Sequence, residues 1–141
     1  MRPLPPIAEQ QCGVFATFQA YRVGWTPSTL SRAVRAGDLV RLRRGAHQIA
    51  DLSHLDEYEQ QRWRHAGPGV GAALTTPGAR VSHSTAAVLY GLPLLFLPSR
   101  ACVVVPSWLT GEVPAVHLHR CTGDRSQNQR GTLEATTVAQ P

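Results

Sequence analysis

The first fifty residues show a helical spacing of hydrophobic positions twice and then a strand-like alternation. Thr17 and Thr26 stand where they can cap helices, Pro27 fits a first helical turn, and Gly24 and Gly37 are typical of helix ends. The alternation that follows is interrupted by a two-residue turn, as in a β-hairpin. The predicted elements are helices over residues 7–11, 18–23 and 27–36, a strand over 14–16, and a hairpin with strands 39–43 and 46–49.

The rest of the chain predicts short elements. These are a polar helix over 56–64, a strand over 80–83, a helix over 85–89 capped by Ser84, and strands over 102–105 and 116–119. Residues 67–69, Gly-Pro-Gly, are expected to interrupt the polar helix and to divide the chain. The prediction is an α+β chain with a winged helix-turn-helix over 7–50, a small α/β domain over 51–122, and a polar, mobile tail over 123–141.

The helix over 27–36 separates into two sides when it is plotted at about 100° per residue. Its apolar side is expected to pack on the preceding helix, against Phe18 and Val23. Its polar side suits the major groove, where Arg pairs with guanine and Ser or Thr binds bases or phosphates. Thr26 and Ser28 lie at the helix N-terminus, which also favours a phosphate. The apolar side holds Leu30, Ala33 and Val34, and the polar side holds Ser28, Arg32 and Arg35.

The hairpin adds a second basic surface. Alternation places Val40 and Leu42 on one face and Arg41 and Arg43 on the other, with Arg44 at the turn. Three arginines around a two-stranded tip suit contact with the DNA backbone or the minor groove. The predicted DNA-binding residues are therefore Thr26, Ser28, Arg32, Arg35, Arg41, Arg43 and Arg44.

The charge of the 141-residue chain is concentrated in the same segment. All 14 basic residues are arginines, and the formal net charge is +5. Residues 1–50 hold seven arginines against Glu9 and Asp38, whereas residues 51–141 hold seven arginines against seven acids. A local excess of this kind is expected for polyanion binding, although a charged helix and hairpin can also be merely solvated. Its coincidence with the helix-turn-helix layout favours DNA.

Cysteine usage and hydropathy indicate the cellular compartment. The chain has three widely spaced cysteines, an odd number without a CxxC pair, which predicts free thiols in a reducing cytoplasm rather than a disulfide framework or a zinc site. The longest apolar run, residues 88–97, is broken by a glycine and a proline, so no membrane span is predicted. The N-terminus lacks the apolar core of a secretion signal. The cysteines are Cys12, Cys102 and Cys121.

An enzymatic site is not predicted. The acids near residue 56 could suggest a nuclease metal site, but ion pairs such as Glu59 with Arg62 favour a solvated helix. Ser82 and His83 are neighbours on a predicted strand, so they should point to opposite faces, and a buried histidine is expected there. The sequence predicts no catalytic residue and no cofactor. The acids are Asp51, Asp56, Glu57 and Glu59.

Two further features leave alternatives open. His117 and His119 alternate on a strand and could share a metal ion, but no third ligand is evident nearby, so no metal site is predicted. Residues 80–120 carry few charged side chains and are rich in large apolar ones, which would suit a dimer surface or a partner site, although core packing is the default. These apolar residues are Leu94, Leu95, Phe96 and Trp108.

The chain resembles a known family at several runs. GVFAT at residues 13–17 and RAGDLVRLRRG at 35–45 resemble the N-terminal winged helix of AbiEi-type antitoxins, transcriptional regulators of abortive-infection (type IV) toxin–antitoxin systems. VSHSTAA at 81–87, GLP at 91–93 and VVVP at 103–106 are similar to the stretch after that winged helix. The resemblance implies an autorepressor that binds operator DNA through Ser28, Arg32, Arg35 and the hairpin arginines. It also implies a nucleotidyltransferase-like toxin as partner, with a homodimer left open.

Three departures from the family pattern stand out. His47 replaces a usual aromatic residue, and Trp25 is large for its turn. The chain also ends where relatives continue into a C-terminal domain, so a C-terminal truncation is expected. The alternative function is therefore a truncated, non-enzymatic interaction module, or a remnant of a protein with a nuclease-like C-terminal domain.

Overall fold

The computed structural model describes residues 3–109, 111 and 115–121. Within them, helices and strands are mixed, which confirms the α+β class. After a 3₁₀ helix over Pro6–Gln11, the elements are β1 Val14–Ala16, α1 Thr17–Arg22, α2 Pro27–Arg35, β2 Leu39–Arg43, β3 Ala46–Ile49, α3 Glu57–Thr75, β4 Arg80–Val81, α4 His83–Leu89, β5 Ala101–Pro106 and β6 Val116–Cys121. The predicted tail, 123–141, lies outside the described residues.

The N-terminal elements form a three-stranded antiparallel sheet that supports α1 and α2. The strand order is β1-β3-β2, so the hairpin pairs internally and β1 closes it on the other side. The element order and the hairpin bounds agree with the prediction. The backbone N–H of Thr17 donates to the carbonyl of Gly45 at 2.9 Å, which ties the hairpin turn to the start of α1. Gly45 has a φ of +88°, a conformation that side-chain-bearing residues rarely adopt.

The packing between α1 and α2 differs from the prediction. Phe18 and Val23 are 42% and 44% exposed, so neither is the core residue on which α2 was expected to pack. The α2 helix instead packs into a cluster around a residue that sequence reasoning placed in a turn, Trp25. A helix of six residues can bury only a narrow side, and α1 buries Ala20. The buried members of this cluster are Ala8, Phe15, Ala20, Trp25, Leu30, Ala33 and Leu39.

Two predicted helix caps are wrong. Thr17 is the first residue of α1, and Ala16 precedes it with its N–H donating to Gln19 Oε1 at 2.9 Å. Gln19 thus satisfies the N–H of Ala16, which is the part a glutamine plays in a capping box, and Thr17 lies one position too far along the chain to be the cap. At α4 the residue before the helix is Ser82, not Ser84, because β4 ends at Val81 and the chain turns earlier than its alternation indicates.

The predicted break at residues 67–69 does not occur. Helix α3 runs through Pro68 for 19 residues. A Cβ at Gly67 would lie 2.6 Å from Gln48 Oε1 of the first sheet, and one at Gly69 would lie 2.8 Å from Ala101 Cβ of the second. The glycines therefore allow both sheets to approach one helix closely. The division at this point is wrong, and the domain limits 7–50 and 51–122 stay a prediction.

The second sheet has the order β4-β5-β6, with β4 and β5 antiparallel and β5 and β6 parallel. Its inner face packs against Ala72 of α3 through Val103, Val105 and Val116. Helix α4 is attached to β5 by the Cys102 N–H, which donates to Thr85 Oγ1 at 2.8 Å. Across the described residues, no helix has the length and apolar character needed to cross a membrane.

Candidate nucleic-acid interface

The start of α2 is fixed by a reciprocal cap. Thr29 N–H donates to Thr26 Oγ1 at 3.2 Å, and Thr26 N–H donates to Thr29 Oγ1 at 2.8 Å. Pro27 occupies the first turn, as its fixed φ favours. This confirms the predicted cap, and it gives the Thr26 hydroxyl a structural partner in addition to its predicted role toward phosphate.

The two sides of α2 are those that the sequence indicates. Leu30 and Ala33 are buried and Val34 is half-buried, while Ser28, Arg32 and Arg35 are exposed. Ser31 is exposed too and belongs to the same stripe, because positions 28, 31, 32 and 35 follow the i, i+3, i+4, i+7 spacing of one helix face. Sequence reasoning missed Ser31, although the same helical plot contains it. The α2 stripe is therefore Ser28, Ser31, Arg32 and Arg35.

The arginines and serines of the α2 stripe divide along the helix. Arg32 and Arg35 lie in the last turn of the nine-residue helix, and Ser28 lies in its first. The guanidinium groups thus lie at the end nearest the hairpin strand that follows. Cations at a helix C-terminus are also favoured by the helix dipole, by about 0.3–1 kcal/mol per charge.

The hairpin presents fewer arginines than its alternation predicts. Arg41 and Arg44 are exposed, but Arg43 is half-buried, and its buried Nη1 has no hydrogen-bond partner among the described residues. The pairing register shifts between Arg41, which faces His47, and Arg43, which faces Ala46. This irregularity turns Leu42 toward α3 and leaves Val40, its predicted companion on the apolar face, 49% exposed.

Acidic side chains lie close to the C-terminal end of α2. Glu9 and Asp38 are the acids among residues 1–50. Both line one pocket together with Asp51, and Asp38 lies between α2 and β2. Its backbone is used structurally, since its N–H donates to Ala33 and its carbonyl accepts from Ala50, each at 3.0 Å. Residues 1–50 still hold seven arginines against these two acids, so the exposed arginines of α2 and the hairpin belong to a segment of net positive charge.

The two unusual aromatic positions are explained by the core under this surface. The Trp25 ring lies 6.0 Å from the Phe15 ring, and its Nε1 donates to the Pro3 carbonyl at 2.9 Å. His47 is 7% exposed and stacks on Phe15, with ring centroids 6.0 Å apart. His47 thus takes the place of a flat aromatic ring, while Trp25 anchors the chain before β1.

Acid is expected to weaken the fold through His47. Burial, and secondarily the nearby Arg41 charge, lowers the pKa of His47 from its usual 6.5. Below pH 6.5 the unfolded chain therefore binds a proton at this histidine more readily than the folded chain does. The free energy of unfolding should fall as the pH drops below that value. Burial lowers the pKa of His65 in the same direction. In urea titrations across pH, His47→Phe should show a shallower loss than wild type, and His54→Gln, at an exposed site, should not.

One comparison with known proteins finds a match to this N-terminal segment. Residues 2–50 match the model of the family described as "Transcriptional regulator, AbiEi antitoxin". No curated protein matches the chain. The AbiEi match covers the 3₁₀ helix, α1, α2 and the hairpin, which are the elements that carry the α2 stripe and the hairpin arginines. The match concerns residues 2–50, which we call the AbiEi segment.

Outside the AbiEi segment, the predicted ion pair between Glu59 and Arg62 is present, but its arginine is buried and not on a solvated helix surface. The two groups are 3.5 Å apart, yet Arg62 is only 2% exposed, so the solvated-helix interpretation is wrong for it. Its Nη2 donates to the Leu92 carbonyl at 2.7 Å and its Nη1 to the Tyr58 hydroxyl at 3.0 Å. The arginine connects α3 to the segment after α4.

The histidines of the second half also differ from prediction. His83 is exposed, not buried, and its Nδ1 lies 2.9 Å from Ser82 Oγ, because a φ of +51° at His83 turns the chain after β4. The His119 ring stacks between those of His83 and His117, each centroid 4.3 Å away. Burial, followed by these two neighbours, lowers the pKa of His119.

The large apolar residues after α4 lie mainly on the surface. Leu95 is 101% exposed, Phe96 76% and Trp108 68%, whereas Leu94 is half-buried against the core. Core packing, the default expectation, is therefore wrong for three of the four. The free buried thiols are confirmed for Cys12 and Cys102, and burial raises the pKa of Cys12 to about 12. The side chain of Cys121 lies outside the described residues.

Proposed function

We propose that the AbiEi segment binds double-stranded DNA in a sequence-specific manner. The observation that carries the proposal is the α2 stripe, which is exposed while the other side of α2 packs into the core. The helix also contacts β2 of the hairpin, which carries exposed arginines. In this arrangement α2 enters the major groove and its arginines read base edges. Arg41 and Arg44 contact the phosphate backbone. The functional residues proposed are Thr26, Ser28, Ser31, Arg32, Arg35, Arg41 and Arg44, with Arg43 in a supporting place.

The AbiEi match supports a regulatory role. A transcriptional regulator described as an antitoxin supports control of a promoter, and the finer proposal is repression of the chain's own toxin–antitoxin operon in the cytoplasm. The protein partner proposed is a nucleotidyltransferase-like toxin. A dimer would let two α2 helices read paired half-sites one helical turn apart. This role needs binding and no chemical step, so the proposal is non-enzymatic.

A second role, as a protein-interaction module, is favoured by one observation. Leu95, Phe96 and Trp108 expose apolar surface on the half of the chain that lies outside the AbiEi match. Large apolar side chains are typical of contact surfaces where they are exposed side by side, as Leu95 and Phe96 are along the chain. DNA binding should weaken with salt and with the loss of exposed arginines, whereas contact through apolar side chains should not. One experiment measures both dependences.

Binding to a duplex from upstream of the gene is expected to weaken steeply with salt. Contact with about four to six phosphates gives a slope of log K against log salt of roughly −4 to −5. Removing two phosphate contacts with Arg41→Ala and Arg44→Ala should make the slope shallower by about two and weaken all sequences alike. Fluorescence anisotropy across a salt series measures both quantities.

The matched control removes two exposed arginines outside the AbiEi segment, Arg64→Ala with Arg100→Ala. It changes the net charge equally, so a slope that depends only on total charge would change in both double variants. Equal curves for wild type, the hairpin variant and the control would contradict the interface. Absence of duplex binding at low salt would favour the interaction module.

A further inference from the structure

We infer that His83, Cys102 and His119 bind a zinc ion on the outer face of the second sheet. One ligand atom from each of these residues lies within 4.8 Å of the other two. The residues come from three separate elements, the start of α4, β5 and β6. This site is distinct from the proposed DNA interface and does not depend on it.

The sheet register explains why these side chains meet. In the parallel pair of β5 and β6, Cys102 is opposite His117 and Val104 is opposite His119. Paired residues share a face, and the neighbouring positions Val103 and Val105 pack inward in the core that includes Ala72 of α3. Cys102 and His119 therefore face away from α3.

His83 reaches the same face through the turn after β4. The Ser82 N–H donates to the Cys102 carbonyl at 3.0 Å, which places the next residue beside β5. The positive φ of His83 then directs its ring over His119, with the centroids 4.3 Å apart. The α4 start and the sheet thus hold the three donors independently of one another.

The donor set is chemically suited to zinc. One thiolate and two imidazoles form a mixed sulfur–nitrogen set that zinc binds tetrahedrally, at about 2.3 Å from sulfur and 2.0–2.1 Å from nitrogen, with water as a fourth ligand. Donors on one such ion lie roughly 3.3–3.6 Å apart, so the cluster needs a small closure. His83 is exposed, so a small shift of its side chain can provide this closure, while Cys102 is 9% exposed and fixed by β5.

Hydrogen bonds already orient two of the donors. Ser82 Oγ lies 2.9 Å from His83 Nδ1, which leaves Nε2 as the ligand atom, as in many metal-binding histidines. Ser84 Oγ lies 3.9 Å from Cys102 Sγ and 3.1 Å from His65 Nε2, so the sulfur has a polar neighbour that is itself positioned. A bound ion would join the start of α4 to β5 and β6, and would stabilise the folded chain by mass action.

The test uses the full, untagged chain after treatment with a chelator. Dialysis against Zn²⁺ should give one ion per chain, and Zn²⁺ should raise the melting temperature. Co²⁺ should give visible d–d bands and a near-ultraviolet thiolate-to-cobalt band. The Co²⁺ band should persist in Cys12→Ala with Cys121→Ala, where Cys102 is the one remaining thiol.

Substitution of the exposed ligand keeps the test independent of folding. His83→Ala should weaken Zn²⁺ binding by more than about tenfold and remove most of the thermal shift, and Cys102→Ala should abolish the thiolate band. His54→Ala, an exposed histidine elsewhere, should bind like wild type. Wild-type affinity in His83→Ala, a Co²⁺ spectrum without a thiolate band, or no bound Zn²⁺ would each overturn the site. Duplex binding by the same variants reports separately on the DNA interface.

Discussion

Arg32→Ala combined with Arg35→Ala is expected to weaken binding to the operator by about 100-fold or more. Each guanidinium can donate two parallel hydrogen bonds to guanine, and a good bidentate contact contributes about 1–3 kcal/mol of discrimination. Both side chains are exposed on α2, so their removal should leave the core around Leu30 and Ala33 unchanged. The ratio of specific to random duplex affinity, measured at one salt concentration, is the informative quantity.

Lysine provides the matched control for this double variant. Arg32→Lys with Arg35→Lys keeps both charges but loses the planar fork that reads guanine. We expect it to bind random duplexes nearly as well as wild type while losing most of its preference for the operator. Ser31→Ala on the same stripe should have a smaller effect. If the alanine variant kept the wild-type specificity ratio, α2 would not be the reading helix.

Arg62→Ala is expected to lower the free energy of unfolding by about 2–4 kcal/mol. The substitution empties the space of a side chain that is 2% exposed and leaves the Leu92 carbonyl without its donor. Glu59 contributes little to this figure, because its side chain is 43% exposed and water can solvate it. Native domains are stable by only about 5–15 kcal/mol, so the loss should be evident in urea titrations monitored by circular dichroism.

Two variants separate the causes of that loss. Arg62→Met restores much of the buried volume without a donor, so it should lose less stability than Arg62→Ala. Arg64→Ala removes an exposed arginine from the same helix and should change the free energy of unfolding by less than about 0.5 kcal/mol. A wild-type midpoint for Arg62→Ala would show that the buried guanidinium is not needed to hold the segment after α4.

The AbiEi segment was the most predictable part of the fold. The Thr26–Pro27 start, the glycine after α2 and the change of period at the hairpin act over a few residues, so they can be read directly from the chain. The helical plot likewise separates Leu30 and Ala33 from the α2 stripe. The same reasoning failed at Phe18 and Val23, because which side of α1 is buried depends on residues far away in sequence.

The predicted break at Pro68 failed for a related reason. Proline and flanking glycines favour interruption locally, since proline removes a helix hydrogen bond. In the folded chain, Gln48 donates to the Trp63 carbonyl at 3.0 Å, and strands from both sheets pack closely on the glycines. Packing of this helix against two sheets outweighs its weak local preference.

The amino-acid order by itself determined the helix-turn-helix and hairpin, the exposed α2 stripe and the location of the charge, because capping, turn geometry and helical period are local properties. Tertiary structure alone decided that Arg62 is buried, that Arg43 is partly withdrawn from the hairpin face, and that Cys102 lies near two histidines. Those outcomes depend on strand pairing and helix packing between distant segments, where burial and register are set by partners that no local pattern specifies.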